Sequence, residues 1–314
     1  MAVDLGVQLG SLSLRNPIIA ASGCYGYGLE YAEIADPGDL GGFVTKSISP
    51  ERWEGNPPPR LAEAGNGLIN SIGLANMGVG EFLAEVAPKL RGVGTRVIVS
   101  VACKVMEEYE RVVERLEEAE GIDGYELNIS CPNVKEGGMA FSRNPRVTEE
   151  LVRRVRARTS RWVTAKLTPN VASVAEGAKA AEAGGADAVS LINTLVGMAV
   201  DYRTRRPKVA TVTGGYSGPP IKPVALAKVW EAAGVVKIPV IGIGGITSWE
   251  DVLEFMIVGA SAVQVGTALF ADPRLPGVLT GGLAGYLESE GIGSIREIIG
   301  TLDTGGAFQV GVPR

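Results

Sequence analysis

The chain contains no histidine among its 314 residues. That removes the side chain that most often serves as a general base near neutral pH, and the commonest metal ligand. Proton transfer would have to rest on Cys, Lys, Asp, Glu, Tyr or bound water. Cysteine is scarce as well: Cys24, Cys103 and Cys131 are odd in number, widely spaced and include no CxxC pair. This argues against a disulfide framework, a zinc site built on cysteines or an iron–sulfur cluster held by this chain alone, and suits a reducing compartment. No metal site is expected. Long apolar runs are also missing. The most apolar stretch, 183–200, is broken by Asp187 and Asn193, so no membrane span is expected. The first residues carry Asp4 and lack the basic-then-apolar profile of a secretory signal, and the reading is soluble and cytoplasmic. The formal net charge of -5 gives no electrostatic reason to expect nucleic acid or anionic lipid as a partner.

What is present is an alternation. Short Val/Ile/Ala-rich runs alternate with longer amphipathic ones, the pattern of buried parallel strands separated by helices. Strands are expected at 17–21, 42–46, 96–101, 124–129, 162–167, 188–192, 239–243 and 262–265, and helices at 106–120, 148–158, 173–183, 223–233 and 248–258. Eight such strands predict an α/β fold of the (β/α)8 barrel type, organised as a single domain. Alternating Val7, Leu9, Leu12 and Leu14 predict an N-terminal β-hairpin plugging the barrel's bottom. Two connections, 48–94 and 194–220, are too long for plain βα loops. In a barrel such loops lie at the catalytic face, so both are candidate lids or substrate walls.

Chemistry-bearing residues collect at the expected strand ends. Strands seven and eight run into Gly244-Gly245 and Gly266-Thr267, where barrels frequently bind phosphate on backbone N–H groups. Two ordinary tight turns would account for either loop alone, but both at the expected places favour a phosphate-bearing ligand. Lys46 closes strand two, Asn128 closes strand four, Lys166 lies in strand five, and Asn193-Thr194 follow strand six. A lysine inside an apolar parallel strand is costly unless it is paired or faces an anionic ligand. The asparagines could merely cap helices, but several at one barrel mouth suit a ligand rich in amide groups. Cys131 follows strand four. A lone cysteine is usually an inert small hydrophobe, the fate expected for Cys24 and Cys103. Cys131 differs in being flanked by Asn128, Ser130 and Asn133 on a catalytic-face loop, where a modestly tuned thiol could act as a base.

Three longer motifs sharpen this. Residues 127–138, LNISCPNVKEGG, resemble the catalytic loop of class 1 dihydroorotate dehydrogenases. Residues 70–76, NSIGLAN, resemble that family's substrate loop, and 213–223, TGGYSGPPIKP, its flavin-contacting loop. The matches run in family order from about Asn16 to Phe270, and their details resemble type B, which uses NAD through a partner subunit. The resemblance implies that (S)-dihydroorotate is oxidised to orotate in pyrimidine biosynthesis, with Cys131 taking the C5 proton while a hydride leaves C6 for N5 of FMN. It implies that Lys46, Asn70, Ser71, Ile72, Gly73, Leu74, Asn128, Asn193 and Thr194 hold the pyrimidine. It implies that Ser22, Lys46, Ser47, Ser100, Asn128, Lys166, Ile192, Gly218, Gly244, Gly245, Gly266 and Thr267 hold FMN. It further implies a homodimer core joined by an electron-transfer subunit carrying FAD and a 2Fe–2S cluster, as a heterotetramer. Three positions depart from the family pattern: Ser100 replaces an expected asparagine, Cys103 a common glycine and Ser142 a glycine after the loop. Rival readings are a dihydropyrimidine dehydrogenase domain, whose loop differs after Cys-Pro, and a non-catalytic flavin-binding scaffold. A tRNA dihydrouridine synthase would need a basic face, which the net charge argues against.

Overall fold

The computed structural model describes residues 3–130, 141 and 143–306. Eight parallel strands close into a barrel: β1 (Ile18–Ala20), β2 (Gly42–Val44), β3 (Arg96–Val101), β4 (Gly124–Asn128), β5 (Trp162–Lys166), β6 (Ala188–Leu191), β7 (Val240–Ile243) and β8 (Ala262–Val265). Each pairs with its sequence neighbours, and β8 closes onto β1 through Val263 opposite Ile18. These are the eight strands the sequence predicts, some shorter by one or two residues at an end. Apart from Arg96 at the start of β3, their residues are buried on both faces because helices cover the outside, which is why they read as continuous apolar runs.

Helices follow where the 3.6-residue period places them, at Met106–Leu116, Pro145–Arg156, Ala175–Ala183, Lys222–Ala233 and Trp249–Ile257. One more, Leu275–Glu290, is not among the expected elements. Gly277, Gly281, Gly282 and Gly285 lower its intrinsic propensity, at up to ~1 kcal/mol each relative to alanine. Packing decides instead: Leu279, Leu283 and Leu287 form a fully buried i, i+4 stripe. A Cβ at Gly282 would come within 2.2 Å of the Trp249 ring, so that glycine is what lets the two helices approach.

The expected hairpin forms from Val7–Leu9 and Leu12–Leu14. Its four apolar side chains are buried, and Trp162 at the start of β5 donates from Nε1 to the Leu9 carbonyl (2.7 Å). It therefore sits at the N-terminal end of the barrel. At the other end the two long connections meet. Leu61–Ala64, Gly67–Asn70, Thr213–Ser217 and Leu195–Met198 form a four-stranded antiparallel sheet beside the barrel mouth. Its central pairing joins Asn70 to Gly215 across 145 residues of chain, which no local pattern announces. Glycine is required there by close approach: a Cβ at Gly215 would lie 2.2 Å from the Thr194 hydroxyl, and one at Gly214 2.5 Å from the Asn70 carbonyl oxygen.

Candidate active site

A cavity of about 810 Å³ opens at the C-terminal end of the barrel, between the strand ends and the four-stranded sheet. Pockets of ~300–1,000 Å³ take drug-sized ligands. Of the residues singled out in the sequence, Ser22, Lys46, Ser47, Asn70, Ile72, Gly73, Leu74, Asn128, Lys166, Ile192, Asn193, Thr194, Gly218, Gly244, Gly245, Gly266 and Thr267 all lie on its wall. Ser71 and Ser100 are not on it. Ser100 is fully buried in β3, one layer beneath Ser47, whose hydroxyl lies 2.9 Å from its own. Ser71 is buried in hydrogen bonds with Asn56 and Thr211. Cys131 and Ser142 fall outside the described residues, as does Asn133.

The polar groups of the wall are held in order. Asn193 donates to Ser130 Oγ (2.9 Å), Ser130 to Asn128 Oδ1 (3.4 Å), and Asn128 to Ser47 Oγ (3.2 Å), which meets Ser100. One line of side-chain hydrogen bonds thus ties the ends of β4 and β6 to β2 and β3. Tyr109, fully buried, donates to the Asn128 carbonyl (3.0 Å) and packs edge-on against Phe141. The last described residue before 131 is Ser130, which belongs to this network. Asn70 is fixed by donation to the Gly215 carbonyl (3.1 Å), and Asn170 donates to the Thr194 carbonyl (3.0 Å).

The glycine loops form a built cradle. Gly244 and Gly245 adopt φ of 132° and 76°, values that side chains rarely tolerate. Behind them Asp251 Oδ2 accepts from the Thr247 amide (2.7 Å), the Thr247 hydroxyl (2.9 Å) and the Ser248 amide (3.0 Å), while Oδ1 meets Lys222 Nζ. Burial alone would raise the Asp251 carboxyl. The Lys222 ammonium and the Thr247 and Ser248 donors outweigh it and hold the group below the usual carboxylate range. At Gly266 the reason for glycine differs. A Cβ there would meet only Cys24 Sγ at 3.4 Å and Ala21 Cβ at 3.6 Å, ordinary contacts, so protein packing does not demand glycine. Its absent side chain keeps the backbone open to the cavity, as a phosphate cradle requires.

Sequence reasoning missed Glu126, Gln264 and Ser190, which form a buried polar network with Lys166. Lys166 is only 5% exposed, and its Nζ lies 3.3 Å from Glu126 Oε1 and 3.3 Å from Gln264 Oε1. The second Glu126 oxygen accepts from Gln264 Nε2 (2.6 Å) and Ser190 Oγ (2.9 Å). The lysine is therefore both paired and on the cavity wall. Glu126 carried the same signal as Lys166, a charge inside an apolar parallel strand. Cys24, expected to be inert, also lines the cavity. Burial pushes its thiol up to about 11 against the opposing pull of the Lys166 and Lys46 ammonium groups, so it is a neutral wall group at pH 7. Burial likewise raises Cys103 well above the ordinary thiol range, and Cys103 is not on the wall.

A barrel mouth with two lysines, amide side chains and a double glycine cradle suits an anionic cofactor together with a small polar ring. The family model described as dihydroorotate dehydrogenase matches residues 4–287. The chain belongs to the dihydroorotate dehydrogenase family. It is 47% identical over 300 residues to the dihydroorotate dehydrogenase B (NAD(+)) catalytic subunit of Bacteroides thetaiotaomicron, covering 96% of this chain and 99% of that one. It is 49% identical over 301 residues to the protein of the same name from Geotalea uraniireducens, with coverage of 96% and 99%. A relative from Solibacter usitatus named putative dihydroorotate dehydrogenase A (fumarate) is 47% identical over 302 residues, with the same coverage. Relatives named for either electron acceptor thus lie at similar identity. Within this family frame, the wall residues above are where the 70–76 and 213–223 motifs meet.

Proposed function

We propose that this chain is an FMN-dependent dihydroorotate dehydrogenase, a single barrel domain over 1–314 that converts (S)-dihydroorotate to orotate in pyrimidine biosynthesis. The observation that carries this reading is the joint placement of Lys46, Asn70, Asn128, Asn193 and Thr194 with the glycine cradle on one cavity wall. The residues fit the cofactor: the cradle at Gly244, Gly245, Gly266 and Thr267 would hold the phosphate, and Ser22, Ser47, Ile192, Gly218 and Lys166 would line the ring, with Ser100 supporting Ser47 from below. When bound, FMN supplies the hydride acceptor, N5. The asparagines and Thr194, with the 70–74 loop including Ser71, Ile72, Gly73 and Leu74, orient the substrate ring and limit its freedom. Lys46 and Lys166 offset negative charge in the site. Cys131 receives the C5 proton, its thiolate being a competent base near neutral pH if modestly tuned.

The electron acceptor is proposed to be NAD, reached through a partner subunit bearing FAD and a 2Fe–2S cluster in a heterotetramer built on a homodimer of this chain. The type B character of the 131–138 and 213–223 motifs supports this, and the chain's own cysteines have no cluster spacing. No helix among the described residues is long and apolar enough to cross a membrane, and a cytoplasmic location is proposed.

The deciding experiment mixes the purified yellow protein anaerobically with dihydroorotate. The flavin absorbance is expected to bleach with dihydroorotate and to stay unchanged with dihydrouracil. Bleaching by dihydrouracil instead would assign the chain to the dihydropyrimidine class. Rapid NAD reduction by this chain alone would remove the need for the partner.

A further inference from the structure

We infer that Glu126 is a positioning residue that sets the charge Lys166 presents to the cavity, and through it the preference of the site for reduced over oxidised flavin. The inference rests on the flavin reading above. Glu126 lies inside the barrel with no exposure, on β4, facing Lys166 on β5. The Glu126 carboxylate lies 3.3 Å from Lys166 Nζ and is itself fixed by two donors, Gln264 Nε2 and Ser190 Oγ. Gln264 closes the arrangement by accepting from Lys166 through Oε1. The ammonium thus has two acceptors below it, and its third N–H belongs to a side chain that forms part of the cavity wall.

The consequence is electrostatic. The Lys166–Glu126 pair is close to neutral overall, with its positive end toward the cavity. It offers a donor to a ring above it without placing a full uncompensated cation there. Removing the carboxylate while keeping the lysine leaves a unit positive charge at the floor. That charge acts in a site of low effective dielectric, where it counts for more than in water. A reduced, negatively charged flavin gains more from it than an oxidised, neutral one. Hydrogen bonding alone, with Glu126 serving merely to fill the barrel, would leave that balance where it is.

The test is the midpoint potential of bound FMN, measured spectrally against indicator dyes in the wild type, Glu126→Gln, Lys166→Gln and the double variant. Glu126→Gln is expected to favour reduced over oxidised FMN by about tenfold, a rise of ~30 mV for a two-electron couple. Lys166→Gln, which leaves the carboxylate uncompensated, is expected to lower the potential, and the double variant, which removes both charges, to lie between the two single variants. An unchanged or lowered potential in Glu126→Gln overturns the inference. Should that variant not accumulate as soluble protein, Glu126→Asp carries the same test. It withdraws the carboxylate by one methylene, the potential should again rise, and an unchanged value again overturns the inference. A wild-type chain that takes up no FMN in a fluorescence titration overturns the flavin reading itself, an outcome distinct from a bound flavin whose potential ignores Glu126.

Discussion

Replacing Gly245 by alanine should separate the cradle's geometry from its chemistry. The residue has φ of 76°, where a Cβ costs roughly 1–2 kcal/mol. The added atom would also lie 2.9 Å from the Lys222 backbone nitrogen, 2.8 Å from Lys222 Cβ and 3.1 Å from the Gly218 carbonyl oxygen. Two of these are backbone atoms and cannot swing aside, so relief requires the 244–247 turn or the start of helix Lys222–Ala233 to move. Overpacking of this kind typically costs about 1–3 kcal/mol, giving a total of about 2–5 kcal/mol. With an unfolding entropy of ~2.1 cal/mol/K per residue, a chain of 314 residues would lose roughly 1.5 °C in Tm per kcal/mol. The flavin-free variant should therefore melt about 3–8 °C below the wild type. Its affinity for FMN, read by quenching of flavin fluorescence, should fall at least tenfold. Gly266→Ala is the contrast. Its Cβ meets the protein only at ordinary distances, so the loss should appear mainly in FMN affinity and little in the Tm of the flavin-free protein. A Gly245→Ala protein with wild-type Tm and wild-type FMN affinity would refute the argument that this turn is both tightly packed and ligand-bearing.

Cys131→Ser should retain FMN yet be reduced by dihydroorotate far more slowly at pH 7, regaining rate as the pH rises. Stopped-flow bleaching at wild-type speed at pH 7 would remove Cys131 as the base. The Cys24 thiol, pushed from 9.0 to about 11 by burial, should carry about a hundredfold less thiolate at pH 8 than an ordinary thiol. Mass-spectrometric mapping after iodoacetamide at pH 8 should find it essentially unmodified, and rapid alkylation would contradict its raised pKa. Asp251 has a folded pKa below its unfolded value, so its contribution to stability is complete above about pH 4 and is lost as the pH falls through the folded pKa. Asp251→Asn should remove that acid-side dependence and destabilise the protein by about 2–4 kcal/mol, since it loses the Lys222 ion pair and the charge on the acceptor of the Thr247 and Ser248 donors. Urea titrations of the two proteins at pH 7 and pH 3 check this: the gap between them should shrink at low pH.

How much of this was legible in the chain depends on the range of the interactions involved. The barrel was readable because each strand is buried on both faces and each helix on one, so local periodicity carries the fold. The resulting order β1 to β8 leaves little topological freedom. Lys46, Lys166, Asn128, Asn193 and the two glycine loops could be named because they end strands, and strand ends in a barrel share one face. Absence contributed too: without histidine, the list of bases was short enough for Cys131 to stand out.

Other features belong to pairings that no window of sequence contains. The sheet beside the cavity exists because Asn70 meets Gly215 and Leu195 meets Tyr216, contacts made only after the barrel has brought the two long connections together. The helix Leu275–Glu290 was hidden by glycines whose purpose, at Gly282, is to let Trp249 approach. Whether Lys166 was paired or aimed at a ligand could not be decided along the chain, because its partners come from β4 and β8, 40 residues before it and 98 after it. Sequence determined which residues carry charge, amide and thiol, and the strand ends at which they stand. Tertiary structure alone decided which of them share a wall and which hold the others in place, because burial and hydrogen bonding inside a closed barrel join residues that the chain keeps far apart.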